Sequence, residues 1–250
     1  MSEPFFTVFT STRNAHQFIG SCIESLLSQD FKDWEWIFVD DASTDDTFAA
    51  AKVVIRNDPR AKLSRLDARR WQLGAFLYAL PQMTGKVIVE LDGDDWFANT
   101  HALSTIHATY VKYPGCEATV GSYFQTDGMG NSYFPYPVRP GERLFKRAWC
   151  GFAPRTWLRR LSLESIAREP EAYKDPRTGE PWHYAGDIAM FGSIACFAKE
   201  LRFIKDRIYV INTINPNRDM YTAEEDQEYD GKRLLQYWIG KEALYYFNER

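Results

Sequence analysis

Along the N-terminal half of the chain, apolar residues recur with two alternating periods. "FFTVFTS" (Phe5 to Ser11) is a short apolar, β-branched run and predicts a buried strand. In "AHQFIGSCIESLLSQ" the apolar positions Phe18, Ile19, Cys22, Ile23, Leu26 and Leu27 follow helical spacing. "WEWIFVD" (Trp34 to Asp40) predicts a second strand. "STDDTFAAAKVVIRND" predicts a helix opening on Ser43, with carboxylates in its first turn where the helix dipole favours them. "KLSRL", "QLGAFLYAL" and "KVIVELD" continue as strand, helix, strand, and "NTHALSTIHATYVKY" as a helix capped by Asn99. Strand and helix alternating in this way predict an α/β fold with a Rossmann-like, mostly parallel sheet flanked by helices.

Such sheets gather their binding groups beyond the carboxyl ends of the strands. Three polar clusters fall at those ends: Ser11-Thr12-Arg13-Asn14, Asp40-Asp41 and Asp92-Gly93-Asp94-Asp95. The second half is less regular. "EATVGSYFQT" and "SYFPYPV" flank the turn-rich "DGMGN" and predict a hairpin. "EPEAYKDPRTGEPWHY" reads as an exposed loop, "GDIAMFGSIACFA" as an apolar helix, "LRFIKDRIYVI" as a strand pair, and the chain closes in a helix from about Ala223.

Composition narrows the function classes. With 45% hydrophobic and 16% aromatic residues, the 250-residue chain can fill a sizeable core. A net charge of -4 gives no global basic footprint and excludes nucleic acid as the expected partner. Cys22, Cys116, Cys150 and Cys196 form no CxxC pair and suit reduced thiols in a cytoplasmic protein. The four histidines have no zinc spacing, and neither a signal peptide nor a run of membrane-spanning length is visible.

The clustered aspartates carry the most chemistry. Carboxylates at Asp92, Asp94 and Asp95 repel one another, so the cluster needs a metal ion, a cationic partner or solvent. Hard oxygen ligands suit Mn²⁺ or Mg²⁺, and Gly93 leaves room for a close approach. An ordinary acidic loop is the alternative; an EF-hand lacks its required Gly and Glu. Asp40-Asp41 reads equally as a nucleoside contact or as local structure, while capping accounts for Ser43 and Asp45. Asp187, after Gly186 at a helix start, reads by itself as a carboxylate stabilised by the dipole.

Together, "STRN", "CIESLLSQDFKDWEWIFVDDASTDDT", "QLG", "GKVIVELDGDD" and "GDIAMFG" resemble the inverting glycosyltransferases of family 2, which have the GT-A fold. The resemblance is dense from residue 5 to about 115 and looser beyond. It implies a nucleotide-sugar-binding subdomain over 1–115 and an acceptor-side subdomain with the C-terminal helix over 116–250, within one compact domain. It implies a nucleotide-sugar donor, UDP-sugar first, and a saccharide or glycolipid acceptor. Ser11, Arg13 and Asp41 would surround the base, and Arg70 the base or diphosphate. Asp92 would contact ribose or a metal-bound water, Asp94 the metal at the diphosphate, and Asp95 would be a supporting carboxylate or a sugar contact. Asp187 would be the catalytic base, although the Glu that commonly precedes it is replaced by Gly186. Gln72 stands where the family often has Asn, with a modest effect on loop geometry expected.

Arg143, Arg147, Arg155, Arg159 and Arg160, interleaved with Phe145, Trp149, Phe152 and Trp157, could meet an anionic lipid acceptor or a membrane surface. A solvated basic helix face is the plainer reading. Two rival classes stand beside the transferase. A haloacid-dehalogenase-type phosphatase also uses a strand-end DxD, but Asp95 replaces the Thr or Val that should follow, and no later Lys motif is evident. A non-catalytic sugar- or nucleotide-binding module would not need both Asp94 and Asp187.

Overall fold

A computed structural model describes residues 3–55, 58–126, 132–133 (backbone) and 153–216. One sheet organises them. Its parallel part is β3 (Ala61–Arg65), β2 (Trp34–Asp40), β1 (Phe6–Thr12) and β4 (Val87–Glu90), in that order. Beyond β4 the sheet becomes mixed. β8 (Thr156–Leu158) pairs antiparallel to β4, and β6 (Ala118–Gln125) antiparallel to β8. β9 (Leu201–Ile211) then runs parallel to β6, with β5 (Trp96–Phe97) antiparallel on its far side. β7 (Ser132–Tyr133) pairs antiparallel with β6, which gives the two sides of the expected hairpin. Strands from both halves of the chain therefore share one sheet.

The period of two along the parallel strands sorts the core into layers. Phe9, Ile37, Val39 and Ile88 face one layer, with Leu73 and Phe76 of α3 (Trp71–Ala79) and Phe191 and Ile194 of α6 (Gly186–Phe197). Val8, Trp36, Phe38, Val87 and Val89 face the other. There they meet Ile19 and Ile23 of α1 (Ile19–Leu27), Ala51 of α2 (Thr47–Ile55) and Leu103 and Ile106 of α4 (Ala102–Lys112). Trp36 and Trp157 are wholly buried, so Trp157 belongs to the core and not to a surface facing lipid. Arg159 and Arg160 open α5 (Arg159–Arg168), where half-exposed Arg160 pairs with Glu117 and Glu164. No described helix is long and apolar enough to cross a membrane.

Four local expectations change. "LRFIKDRIYVI" is one strand, not a pair: the register against β6 jumps from Ile204 to Arg207, and exposed Lys205-Asp206 are absorbed as a bulge. The predicted exposed loop is partly core, because Tyr173 and Trp182 are each only 4% exposed. Tyr173 hydrogen-bonds Ser165 and Ser193 there, and the Trp182 indole donates to the Ala172 carbonyl at 3.0 Å. Helix α2 starts at Thr47, so its first turn holds no carboxylate; Asp45 precedes it and accepts the Thr47 amide at 3.0 Å. Asn99 accepts the His101 amide before α4 begins, while the Leu103 amide is taken by Gln29. Cys22, Cys116 and Cys196 are thiols outside any disulfide. Cys150, Arg143, Arg147 and the helix expected from Ala223 lie outside the described residues.

Candidate active site

The carboxyl ends of β1, β2, β3 and β4 lie side by side, and the parallel ladder continues past them into the loops. The amide of Asp41 donates to the Thr12 carbonyl at 2.8 Å, that of Leu66 to Asp40 at 2.9 Å, and that of Gly93 to Ser11 at 3.2 Å. All three predicted clusters are thus brought to one edge. A β-carbon on Gly93 would lie 2.3 Å from both Cβ and Oγ1 of Thr12, so only glycine lets this loop close onto β1. Thr12 Oγ1 is buried there without a hydrogen-bond partner.

On the β2 side, both aspartates have structural partners. Asp40 is fully buried, accepts from Ser43 and pairs with Arg65 at 3.4 Å. Asp41 accepts the backbone amides of Arg70 at 2.6 Å and Trp71 at 2.8 Å, which fixes the start of α3. Burial raises its pKa above the usual carboxylate value, against those two hydrogen bonds and the nearby charges of Arg69 and Arg13. Trp71 has a φ of 61°, a conformation unusual for a bulky side chain. The Asp41 bond helps hold it, as do ring contacts with the Arg69 guanidinium at 3.2 Å, His183 at 5.1 Å and Tyr184 at 4.7 Å. Arg70 instead turns its exposed side chain toward Tyr78, 5.8 Å from that ring. Arg69, which the sequence reading passed over, thus acts on Asp41 beside Arg13. A cleft of about 390 Å³ opens next to this edge, lined by Ala42, Arg65, Leu66 and Asp67.

At the end of β4 the four residues differ in their surroundings. Asp95 is buried and accepts the Asn212 amide at 2.8 Å, tying the loop to the end of β9. Asp94 is partly accessible, and its Oδ2 accepts from the Asn215 side chain at 2.8 Å. The Asp92 amide donates to the Tyr209 hydroxyl at 3.1 Å. Its carboxyl pKa is pushed up to about 7, first by burial and then by Glu90, with Asp94 and Asp187 adding to the rise against Arg155. Glu90 lies two residues before Asp92, a spacing that puts both on one face of an extended strand.

Asp187 sits on the first turn of α6, after a left-handed Ala185 (φ 54°). A β-carbon on Gly186 would lie 3.1 Å from the Leu73 amide and the Gln72 side chain, so glycine here seats α6 tightly on α3. One Asp187 oxygen accepts the Ile188 amide at 2.9 Å; the other accepts from Arg155 at 3.2 Å. Arg155 also donates to Glu90 at 2.6 Å, and Gln72 donates to Glu90 at 2.9 Å and Asp92 at 3.1 Å. Asp187 thus joins the strand-end aspartates through a hydrogen-bonded chain. Arg155 is 9% exposed, so for this arginine the solvated-face reading is corrected.

The donor set fits a hard divalent cation. Among the described residues, no three His, Cys, Asp or Glu side chains form a complete protein cage. Mg²⁺ and Mn²⁺ sites that take phosphate need only one or two carboxylates, with water and substrate oxygens completing the shell. Asp94 with Asp92 would supply such a pair, and because Glu90, Asp94 and Asp187 add to burial in raising the Asp92 pKa, a cation there would also relieve like-charge repulsion.

Comparison with known proteins identifies the family and the fold. Residues 7–160 match the family described as Glycosyl transferase family 2. EpsE of Bacillus subtilis (strain 168) is 36% identical over 95 residues, 38% of this chain and 34% of that one. The Escherichia coli UDP-Glc:alpha-D-GlcNAc-diphosphoundecaprenol beta-1,3-glucosyltransferase WfgD is 34% identical over 100 residues, 40% of this chain and 39% of that one. The chain thus spans well under half the length of these two curated relatives. The crystal structure of S. aureus TarS 1-349 in complex with UDP-GlcNAc superposes with a TM-score of 0.70 at 20% identity, covering 94% of this chain and 66% of that one. The α/β architecture is therefore that of the GT-A glycosyltransferases.

Proposed function

The chain belongs to glycosyl transferase family 2, and on that footing we propose that it moves a sugar from a nucleoside-diphosphate donor to a hydroxyl group of a glycan or glycolipid. The observation that carries the reading is the linkage of Asp187 to the Asp92-Gly93-Asp94-Asp95 strand end through Arg155, Glu90 and Gln72. UDP is the first choice of nucleotide because UDP-Glc and UDP-GlcNAc appear in the names of WfgD and the TarS complex. The diphospho-lipid in WfgD's name makes a lipid-linked saccharide the first acceptor to try.

The nucleoside would lie along Ser11, Arg13, Asp41 and Arg69, with its diphosphate reaching toward Gly93 and Asp94. A divalent cation at Asp94 and Asp92 would supply Lewis acidity to the departing diphosphate. Asp187, its side chain 32% exposed, would take the proton of the acceptor hydroxyl as that oxygen attacks the anomeric carbon. The new C–O bond forms as the sugar–phosphate bond breaks, and the electron pair leaves with the diphosphate. One displacement inverts the anomeric centre.

Asp187→Asn tests the assignment. Turnover of the donor should fall by about a hundredfold or more, while UDP affinity stays within about twofold, as expected for removal of a base used only in the transition state. Equal loss of UDP affinity would return Asp187 to a structural carboxylate stabilised by the dipole of α6.

A further inference from the structure

The base alone does not explain why an arginine is buried between it and β4. Arg155 precedes β8, and the Glu90 amide donates to its carbonyl at 3.2 Å, so its backbone is fastened to the same strand whose end carries the aspartates. Its side chain then divides its donors. Nε goes to Glu90 Oε2 at 2.6 Å, and Nη1 goes to Asp187 Oδ2 at 3.2 Å. The other Glu90 oxygen accepts from Gln72, whose amide also reaches Asp92 Oδ1. The guanidinium is rigid and planar, so fixing Nε on Glu90 also fixes where Nη1 points. An ammonium group at the end of a flexible stem cannot fix two partners in this way.

We propose that Arg155 is the positioning residue of the reaction, holding the Asp187 carboxylate at a set place relative to the donor-binding end of β4, with Glu90 as its anchor. This rests on Asp187 being the base. The Ile188 amide engages Asp187 Oδ1 from within α6 and therefore moves with the helix. Arg155 references the carboxylate to the sheet instead. Each Asp187 oxygen accepts one such bond and keeps a further lone pair for the acceptor proton. Its hydrogen bonds to Glu90 and Asp187 join two groups of the protein, so its removal should act through turnover and not through donor affinity.

A double-mutant cycle tests this, with Arg155→Lys, Asp187→Asn and the two combined. The lysine keeps a positive charge beside Glu90, and the neutral pair Arg155→Gln with Glu90→Gln serves as the second variant should the lysine protein not fold. Single-turnover release of UDP is followed from UDP-glucose and from UDP-N-acetylglucosamine with Mn²⁺, water standing in for the acceptor, alongside calorimetric UDP binding. Arg155→Lys should slow turnover by about tenfold with UDP affinity and KM within about twofold, and it should have no further effect in the Asp187→Asn background. An equal loss in both backgrounds, or wild-type turnover in Arg155→Lys, overturns the positioning role while leaving the base in place. Full turnover in Asp187→Asn overturns the base and the positioning role together. No turnover of either sugar by the unsubstituted chain contradicts the UDP-sugar reading on which both rest.

Discussion

Replacing Arg155 by methionine perturbs folding in a way the site's charges let one size. The side chains of Arg155 and Glu90 are 10% and 3% exposed, so solvent screens their attraction little. Removing one partner of a buried pair leaves an uncompensated charge and costs about 3–5 kcal/mol. For a chain of this length, where each kcal/mol shifts the midpoint by a few degrees, Tm should drop by about 10 °C. Glu90 keeps its bond from Gln72, so adding Glu90→Gln removes the stranded charge without stranding the amide. The double variant should recover more than half of the lost stability. Thermal and urea unfolding of the three proteins measures all of this. Equal stability of Arg155→Met and the unsubstituted protein, or a double variant no better than the single, would refute the reasoning.

Other perturbations follow from single contacts. Gly93→Ala places a methyl group 2.3 Å from Thr12, an overpacking expected to cost about 1–3 kcal/mol and to shift the loop carrying Asp92 and Asp94. Urea unfolding should show that loss, and calorimetry should show weakened Mn²⁺–UDP binding. Glu35 gives a pH signature. Burial would raise its pKa, but hydrogen bonds from the amides of Thr84 and Gly85, from Thr7 and from Lys62 outweigh it and leave the value below 4.5. A depressed folded-state pKa contributes stability that is present above 4.5 and lost as pH falls through the lower folded value. Glu35→Gln should therefore show a shallower loss of Tm on acidification, and an unchanged acid limb would contradict the assignment.

Much of this was legible because it was local. The strand ending "VIVELDGDD" has no polar interruption before Glu90, and Gly186-Asp187 open an apolar helix, so both chemical candidates stood at element boundaries. Glu90 was legible too, two residues before Asp92, yet it was overlooked among apolar neighbours. Arg155 was not, because nothing within a run of arginines and aromatics tells which one the sheet buries; only the pairing of β8 with β4 does. Asp41 shows the same limit: its two backbone partners at Arg70 and Trp71 come from another loop, and sequence left its role open. "LRFIKDRIYVI" reads as a strand pair because charged residues such as Lys205-Asp206 usually interrupt strands, whereas a parallel partner can absorb them as a bulge.

The central claim is a metal-dependent nucleotide site at the end of β4, and calorimetric titration of UDP, GDP and dTDP, each with and without Mn²⁺, tests it most directly. One nucleotide, UDP first, should bind only with Mn²⁺, and Asp94→Ala should abolish that binding. Equal binding with and without Mn²⁺, or undiminished binding by Asp94→Ala, would contradict it.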